Sequence, residues 1–130
     1  MSGFPHPGHV AVTVTDLDLS REWYRGLFGK EPALDEDTGL FHHVVWAWPD
    51  GFLFGIHGFP DGRGDRFDER RSGLDHVAFH VSDRAELERW AARLDEMGIA
   101  HGPIVDAPYG SGMAFRDPDD IQLEFFTFPA

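Results

Sequence analysis

No cysteine occurs among the 130 residues. A disulfide framework, thiolate metal sites, iron–sulfur clusters and cysteine nucleophiles are excluded with it. Basic residues are scarce: 11 Lys and Arg stand against 23 Asp and Glu, for a formal charge of -12. That shortage argues against nucleic acid or an anionic membrane as partner, because both need a basic face. It suits a solvated acidic surface, and it would also suit a cationic ligand. No apolar run approaches the ~20 residues of a membrane span. The first eight residues lack the basic-then-apolar order of a secretory signal, so a cytoplasmic location is expected. A nucleophile elbow, a phosphate-cradling glycine loop and a dinucleotide fingerprint are all missing. What is present is 42% hydrophobic residues, with 12 Phe and 4 Trp. That is ample for one folded core at this length.

The chain repeats itself. His9-Val-Ala-Val-Thr-Val-Thr-Asp16 is echoed by His76-Val-Ala-Phe-His-Val-Ser-Asp83, 67 residues later. Trp23 and Leu27 recur as Trp90 and Leu94 at the same offset. Pro49-Asp50 and Phe59-Pro60 recur as Pro118-Asp119 and Phe128-Pro129 at an offset of 69. Ordered anchors through both halves indicate a duplicated unit.

Each unit opens with a period-2 segment, Val10, Val12 and Val14 opposing His9, Ala11 and Thr13, and Val77, Phe79 and Val81 opposing His76, Ala78 and His80. A helix follows in each. Leu19, Trp23, Leu27 and Phe28 form the first apolar stripe, and Leu87, Trp90, Ala91 and Leu94 the second. Asp18 is a candidate N-cap for the first helix, Asp83 with Glu86 a capping box for the second, and Gly29 and Gly98 suit the C-termini. Three strands then follow per unit: near Ala33, in His43–Trp48 and in Phe52–Gly58, then near Ile104, in Met113–Arg116 and in Ile121–Phe128. The unit is β-α-β-β-β, and the fold class is α+β with two tandem modules. Module one covers about residues 8–60 and module two about 74–130. A charged, Gly-rich linker, residues 61–73, joins them. Its Arg63, Arg66, Arg70 and Arg71 would grip an anion, although such a run is more often only solvated.

Among the eight His residues, His9 and His76 stand out because they occupy equivalent repeat positions on the face opposite the valines. Glu124 lies between the apolar Leu123 and Phe125 and is costly to bury unless paired or bound to a cation. Two imidazoles and one carboxylate are a ligand set for a hard-to-borderline divalent metal with positions left open for substrate.

These motifs, together with Trp23-Tyr-Arg-Gly-Leu-Phe-Gly29, Gly73-Leu-Asp-His76-Val-Ala-Phe79 and Phe115-Arg-Asp-Pro-Asp-Asp-Ile-Gln-Leu-Glu124, make the chain resemble the vicinal oxygen chelate superfamily. That family contains glyoxalase I, methylmalonyl-CoA epimerase, fosfomycin-resistance transferases, bleomycin-resistance proteins and extradiol dioxygenases. The resemblance covers about residues 8 to 128. It implies two βαβββ modules forming a curled mixed sheet around a metal site, with one divalent ion (Fe2+, Mn2+, Zn2+ or Ni2+) held by His9, His76 and Glu124. The fourth family position falls on Gly55, which has no side chain to ligate. That argues against glyoxalase I and the epimerase and for the His-His-Glu set of extradiol dioxygenases and fosfomycin enzymes. Ala114 departs from the Tyr that both of those groups carry ten residues before the Glu.

The resemblance implies a small oxygen-chelating substrate and a homodimer, with dioxygenase chemistry as first expectation and lyase or isomerase chemistry as alternatives. A non-catalytic, drug-sequestering protein of the bleomycin-resistance type is the other alternative, and the acidic charge and Trp residues suit it. His80, on the face of His76, is the expected acid–base residue, a packed His being the competing role. Tyr109, Gln122, Trp46 and His57 are expected around the substrate. For Trp46 core packing competes with that role, and His57 is also a candidate replacement ligand beside Gly55. His6, His42, His43 and His101 are expected to be structural or surface residues.

Overall fold

The computed structural model describes residues 3–130. The chain divides into two compact units, the first ending at Asp65 and the second running Arg66–Ala130. In the first unit, β1 (His9–Thr13) leads into α1 (Leu17–Phe28), then β2 (Leu34–Asp37), β3 (His42–Ala47) and β4 (Leu53–Gly58). The second unit repeats the order with β5 (Val77–His80), α2 (Arg84–Glu96), β6 (Val105–Ala107), β7 (Gly110–Arg116) and β8 (Gln122–Thr127). Each unit carries its own four-stranded mixed sheet, ordered β1-β4-β3-β2 in the first and β5-β8-β7-β6 in the second. The first and last strand of each unit pair in parallel across the helical crossover, and the other neighbours are antiparallel.

Strand alternation sorts each sheet into a helix-covered face and an open face. Val12, Val44, Trp46, Phe54 and Ile56 are buried with Tyr24 and Leu27 of α1. Met113, Phe115, Leu123 and Phe125 are buried with Leu87 and Leu94 of α2. Truncating a side chain such as Leu27 to Ala should cost about 2–5 kcal/mol.

Two local expectations for α1 are corrected. Its N-cap is Asp16, whose Oδ1 accepts from Leu19 N at 3.1 Å. Asp18 lies inside the first turn and pairs with Arg21 at 2.8 Å. The buried stripe is Ser20, Tyr24 and Leu27, while Leu19 is 56% exposed.

In α2 the Asp83 cap accepts from Glu86 N at 2.8 Å. The Glu86 carboxylate reaches back to Ser82 N (2.6 Å) rather than to the cap residue's own N–H. Trp90 stacks on Phe125, ring centres 4.3 Å apart. Gly29 and Gly98 take left-handed backbone at the two helix ends (φ 61° and 71°), a conformation that favours glycine.

Candidate functional site

The open face of the second sheet carries a chain of polar contacts that ends on His76 and Glu124. His76 precedes β5 and follows Asp75, whose Oδ1 lies 2.7 Å from His76 Nδ1. Gln122 at the start of β8 donates through Nε2 to the Asp75 backbone carbonyl and to its Oδ1, both at 3.1 Å. Arg116 on β7 donates through Nη2 to Glu69 (2.7 Å) and to Gln122 Oε1 (3.3 Å). An acceptor carboxylate at Asp75 selects the tautomer of a neutral imidazole that carries its proton on Nδ1, which would leave the Nε2 lone pair available. That lone pair faces Glu124 Oε2 across 3.8 Å, too far for a hydrogen bond. Two acceptors facing each other at that separation suit a cation between them.

The pair also fits a divalent metal dimensionally. Bonds of about 2.1 Å in tetrahedral array would set donor atoms about 3.4 Å apart, a few tenths of an ångström from the observed spacing. Glu124 is only 27% exposed, and His76 is 42% exposed. Among the described residues no group of three or more His, Cys, Asp or Glu side chains stands together as a metal-holding cluster. His76 and Glu124 are therefore a pair of candidate ligands within the second unit.

A cleft of about 240 Å³ opens beside Glu124. Tyr109, Val105 and Phe126 give it apolar walls, and Gly102, Gly110 and Gly112 also line it. Gly112 is required by the carboxylate itself: a Cβ there would stand 2.5 Å from Glu124 Oε1. Tyr109 is 73% exposed at the cleft. Gln122, expected to bind substrate or orient the carboxylate, is instead bonded to Asp75, the partner of His76. His80 is level with Phe126, two residues beyond the Ala78–Glu124 pair, or about 7 Å along the strand. Its ring lies 5.6 Å from that of Phe128.

In the first unit, His9 is exposed at the start of β1 and is level with Leu53. Gly55 is level with Ala11, and a Cβ there would meet nothing closer than Val45 Cγ2 at 3.5 Å. His57 is level with Thr13, four residues from the His9 level, or about 13 Å along the strand. It stands beside His43 instead, ring centres 5.2 Å apart, and stacks on Phe41 at 4.9 Å. Burial and the neighbouring His43 hold its pKa below the ordinary histidine value.

Trp46 takes the packing role. It is fully buried on the helix-covered face and its Nε1 donates to Lys30 O at 2.9 Å, so it offers no wall to a ligand. Two of the linker arginines are paired with carboxylates: Arg66 with Asp120, and Arg70 with Asp68 at 2.9 Å.

Asp75 and Arg116 were not anticipated. Asp75 adjoins His76 in sequence, and neighbours in a strand point to opposite faces. β5 begins only at Val77, so both side chains reach the same side. Arg116 carries no signal beyond its same-face register with Gln122.

Two tandem β-α-β-β-β modules with a His–Glu pair on the open face of the second define a class. The chain belongs to the Glyoxalase/Bleomycin resistance protein/Dioxygenase superfamily, whose family model matches residues 6–125. Among solved structures it is similar to a glyoxylase/bleomycin resistance protein/dioxygenase domain from Frankia sp. EAN1pec. That likeness has 31% identity and a TM-score of 0.87 and covers 98% of this chain and 100% of that one. The fold is also shared with the genomically encoded fosfomycin resistance protein FosX from Listeria monocytogenes, at 19% identity and TM-score 0.68 over 99% of this chain and 95% of that one. A mutant of that protein has been solved with Mn(II) and dihydroxypropylphosphonic acid. Among curated proteins the chain is 26% identical to the putative ring-cleaving dioxygenase MhqA of Bacillus subtilis (strain 168), over 75% of this chain. It spans only 30% of that relative's length. Among the described residues no helix is long and apolar enough to cross a membrane.

Proposed function

We propose that the protein is a divalent-metal-dependent enzyme acting on a small substrate that chelates through oxygen, with ring-cleaving or other dioxygenase chemistry as the leading reaction class. His76 and Glu124 are the ligands of module two. His9 is the ligand of module one, from the same chain or from a second copy in a homodimer. The observation that carries this reading is His76 Nε2 facing Glu124 Oε2 at 3.8 Å while Nδ1 is tied to Asp75. A bound divalent ion would supply Lewis-acid stabilisation of an enolate or catecholate oxygen. Asp75 holds the His76 tautomer, and Gln122, itself held by Arg116, holds Asp75. Val105 and Phe126 give the carboxylate side apolar walls, and Tyr109 stands where a ligand would enter. His80 is the acid–base residue of this proposal, within one substrate length of Glu124.

The test is metal content of untagged protein, before and after reconstitution, in wild type and His76→Ala. Near-stoichiometric metal in wild type, and the loss of one equivalent together with turnover in the variant, are expected. Less than a tenth of an equivalent in reconstituted wild type overturns the proposal. The apolar cleft and the charge of -12 favour one second reading, sequestration of a cationic ligand without chemistry. Under that reading His76→Ala keeps its ligand affinity. Assembly is read by mixing His9→Ala with Glu124→Ala chains. Recovery of metal binding in the mixture means that sites are completed between chains.

A further inference from the structure

We propose that His43 and His57 form a second divalent-cation site on the open face of the first sheet, separate from His9 and selective for borderline metals such as Zn(II), Ni(II) and Cu(II). The two residues are direct cross-strand partners of antiparallel β3 and β4, so their side chains leave the sheet on the same side at the same level. Their ring centres lie 5.2 Å apart. A metal bound to an imidazole nitrogen at about 2.1 Å sits about 3.2 Å from that ring's centre, so a tetrahedral angle at the metal sets two ring centres about 5.2 Å apart. The observed separation is the one such a pair needs.

The surroundings complete the argument. Glu36 is the cross-strand partner of His43 on β2, and its Oε1 lies 2.8 Å from His43 Nε2. That is the carboxylate–histidine pairing that orients a metal ligand, and it leaves Nδ1 of His43 available. Among the described residues the ring nitrogens of His57 have no hydrogen-bond partner. Its ring is held by stacking on Phe41, with an interplanar angle of 19°, and Phe59 lies 6.3 Å away. Two protein ligands leave open positions for water, which makes this a site for exchangeable cation rather than a buried structural one. His9 is about 13 Å away along the strands, so it belongs to neither ligand of this pair. The hard, oxygen-seeking ions Mg(II) and Ca(II) should not bind two imidazoles.

The experiment uses the untagged His9→Ala/His76→Ala/Glu124→Ala protein, in which the site proposed for catalysis is deleted, so failure of that site and failure of this one are read separately. Calorimetric titration with Zn(II) should give one saturable equivalent in the micromolar range, with Cu(II) tighter and Mg(II) silent. His57→Phe, which keeps a ring to stack on Phe41, and His43→Ala should each weaken binding at least tenfold. Glu36→Gln should weaken it about tenfold. Imidazole NMR signals of His43 and His57 should shift on zinc addition ahead of those of His42, His80 and His101. Thermal unfolding of every variant confirms folding. No saturable zinc binding in the folded triple variant, or binding unchanged by His57→Phe, overturns the proposal.

Discussion

Gly112 on β7 leaves room for the carboxylate of Glu124: a Cβ at Gly112 would lie 2.5 Å from Glu124 Oε1 and 3.2 Å from Glu124 Cδ. The atoms it would strike are the far end of a flexible side chain. Gly112→Ala should therefore swing the carboxylate away without unfolding the strand. Metal affinity is expected to fall about tenfold or more, while stability changes by less than about 1 kcal/mol. Calorimetric metal titration alongside chemical denaturation checks both. Unchanged affinity would remove Glu124 from the ligand set.

Asp75 acts through His76. Asp75→Asn can still bond to Nδ1, but it presents an amide where a carboxylate held the tautomer. Metal affinity should fall about 10- to 100-fold, and Gln122→Ala, which loosens Asp75, should give a smaller loss in the same direction. Equal losses in both variants would contradict the order of the chain from Arg116 through Gln122 to Asp75.

Gly55 and Gly110 should respond oppositely to a methyl group. At Gly55 the nearest atoms to a new Cβ are 3.5 Å away and no positive φ is involved, so Gly55→Ala should be neutral or stabilising by up to about 1 kcal/mol. At Gly110, with φ 146°, the new Cβ would stand 2.4 Å from the Thr127 backbone oxygen. Gly110→Ala should destabilise by about 2 kcal/mol or more. Urea midpoints of the two variants make the comparison.

Two histidines should give stability opposite pH dependences. His101 bonds to Gly102 O at 2.7 Å and to Asp95 at 2.8 Å, and the backbone bond is the main cause of its raised pKa. Its contribution is complete below the ordinary histidine value of about 6.5 and is lost as pH rises through the raised one. His57, pushed down by burial and then by His43, binds its proton more readily when unfolded. It favours the folded state above about pH 6.5, and that preference is lost as pH falls toward the lowered value. Wild type minus His101→Ala should therefore be largest near pH 5.5, and His57→Phe should flatten the acid limb of the wild-type curve. Denaturant midpoints from pH 5 to 9 test both signs.

The duplicated order of strands and helices was legible in the residues because it is local: period-2 alternation, caps and Gly stops need only near neighbours. Repeat equivalence singled out His9 and His76 as candidates, and an acid between apolar neighbours singled out Glu124; the 3.8 Å approach of His76 to Glu124 is a tertiary result. Alternation also showed that Val44 and Trp46 share a face. Which face of α1 is buried was decided by its packing on the sheet, which turns Tyr24 and Leu27 inward and leaves Leu19 exposed. Tertiary pairing alone decided that Trp46 is core. It alone brought Gln122 to Asp75, 47 residues away, so that His76 offers Nε2 to Glu124. It alone set His57 beside His43, because register between strands is a long-range property: one residue of slip would have turned every one of these side chains to the opposite face.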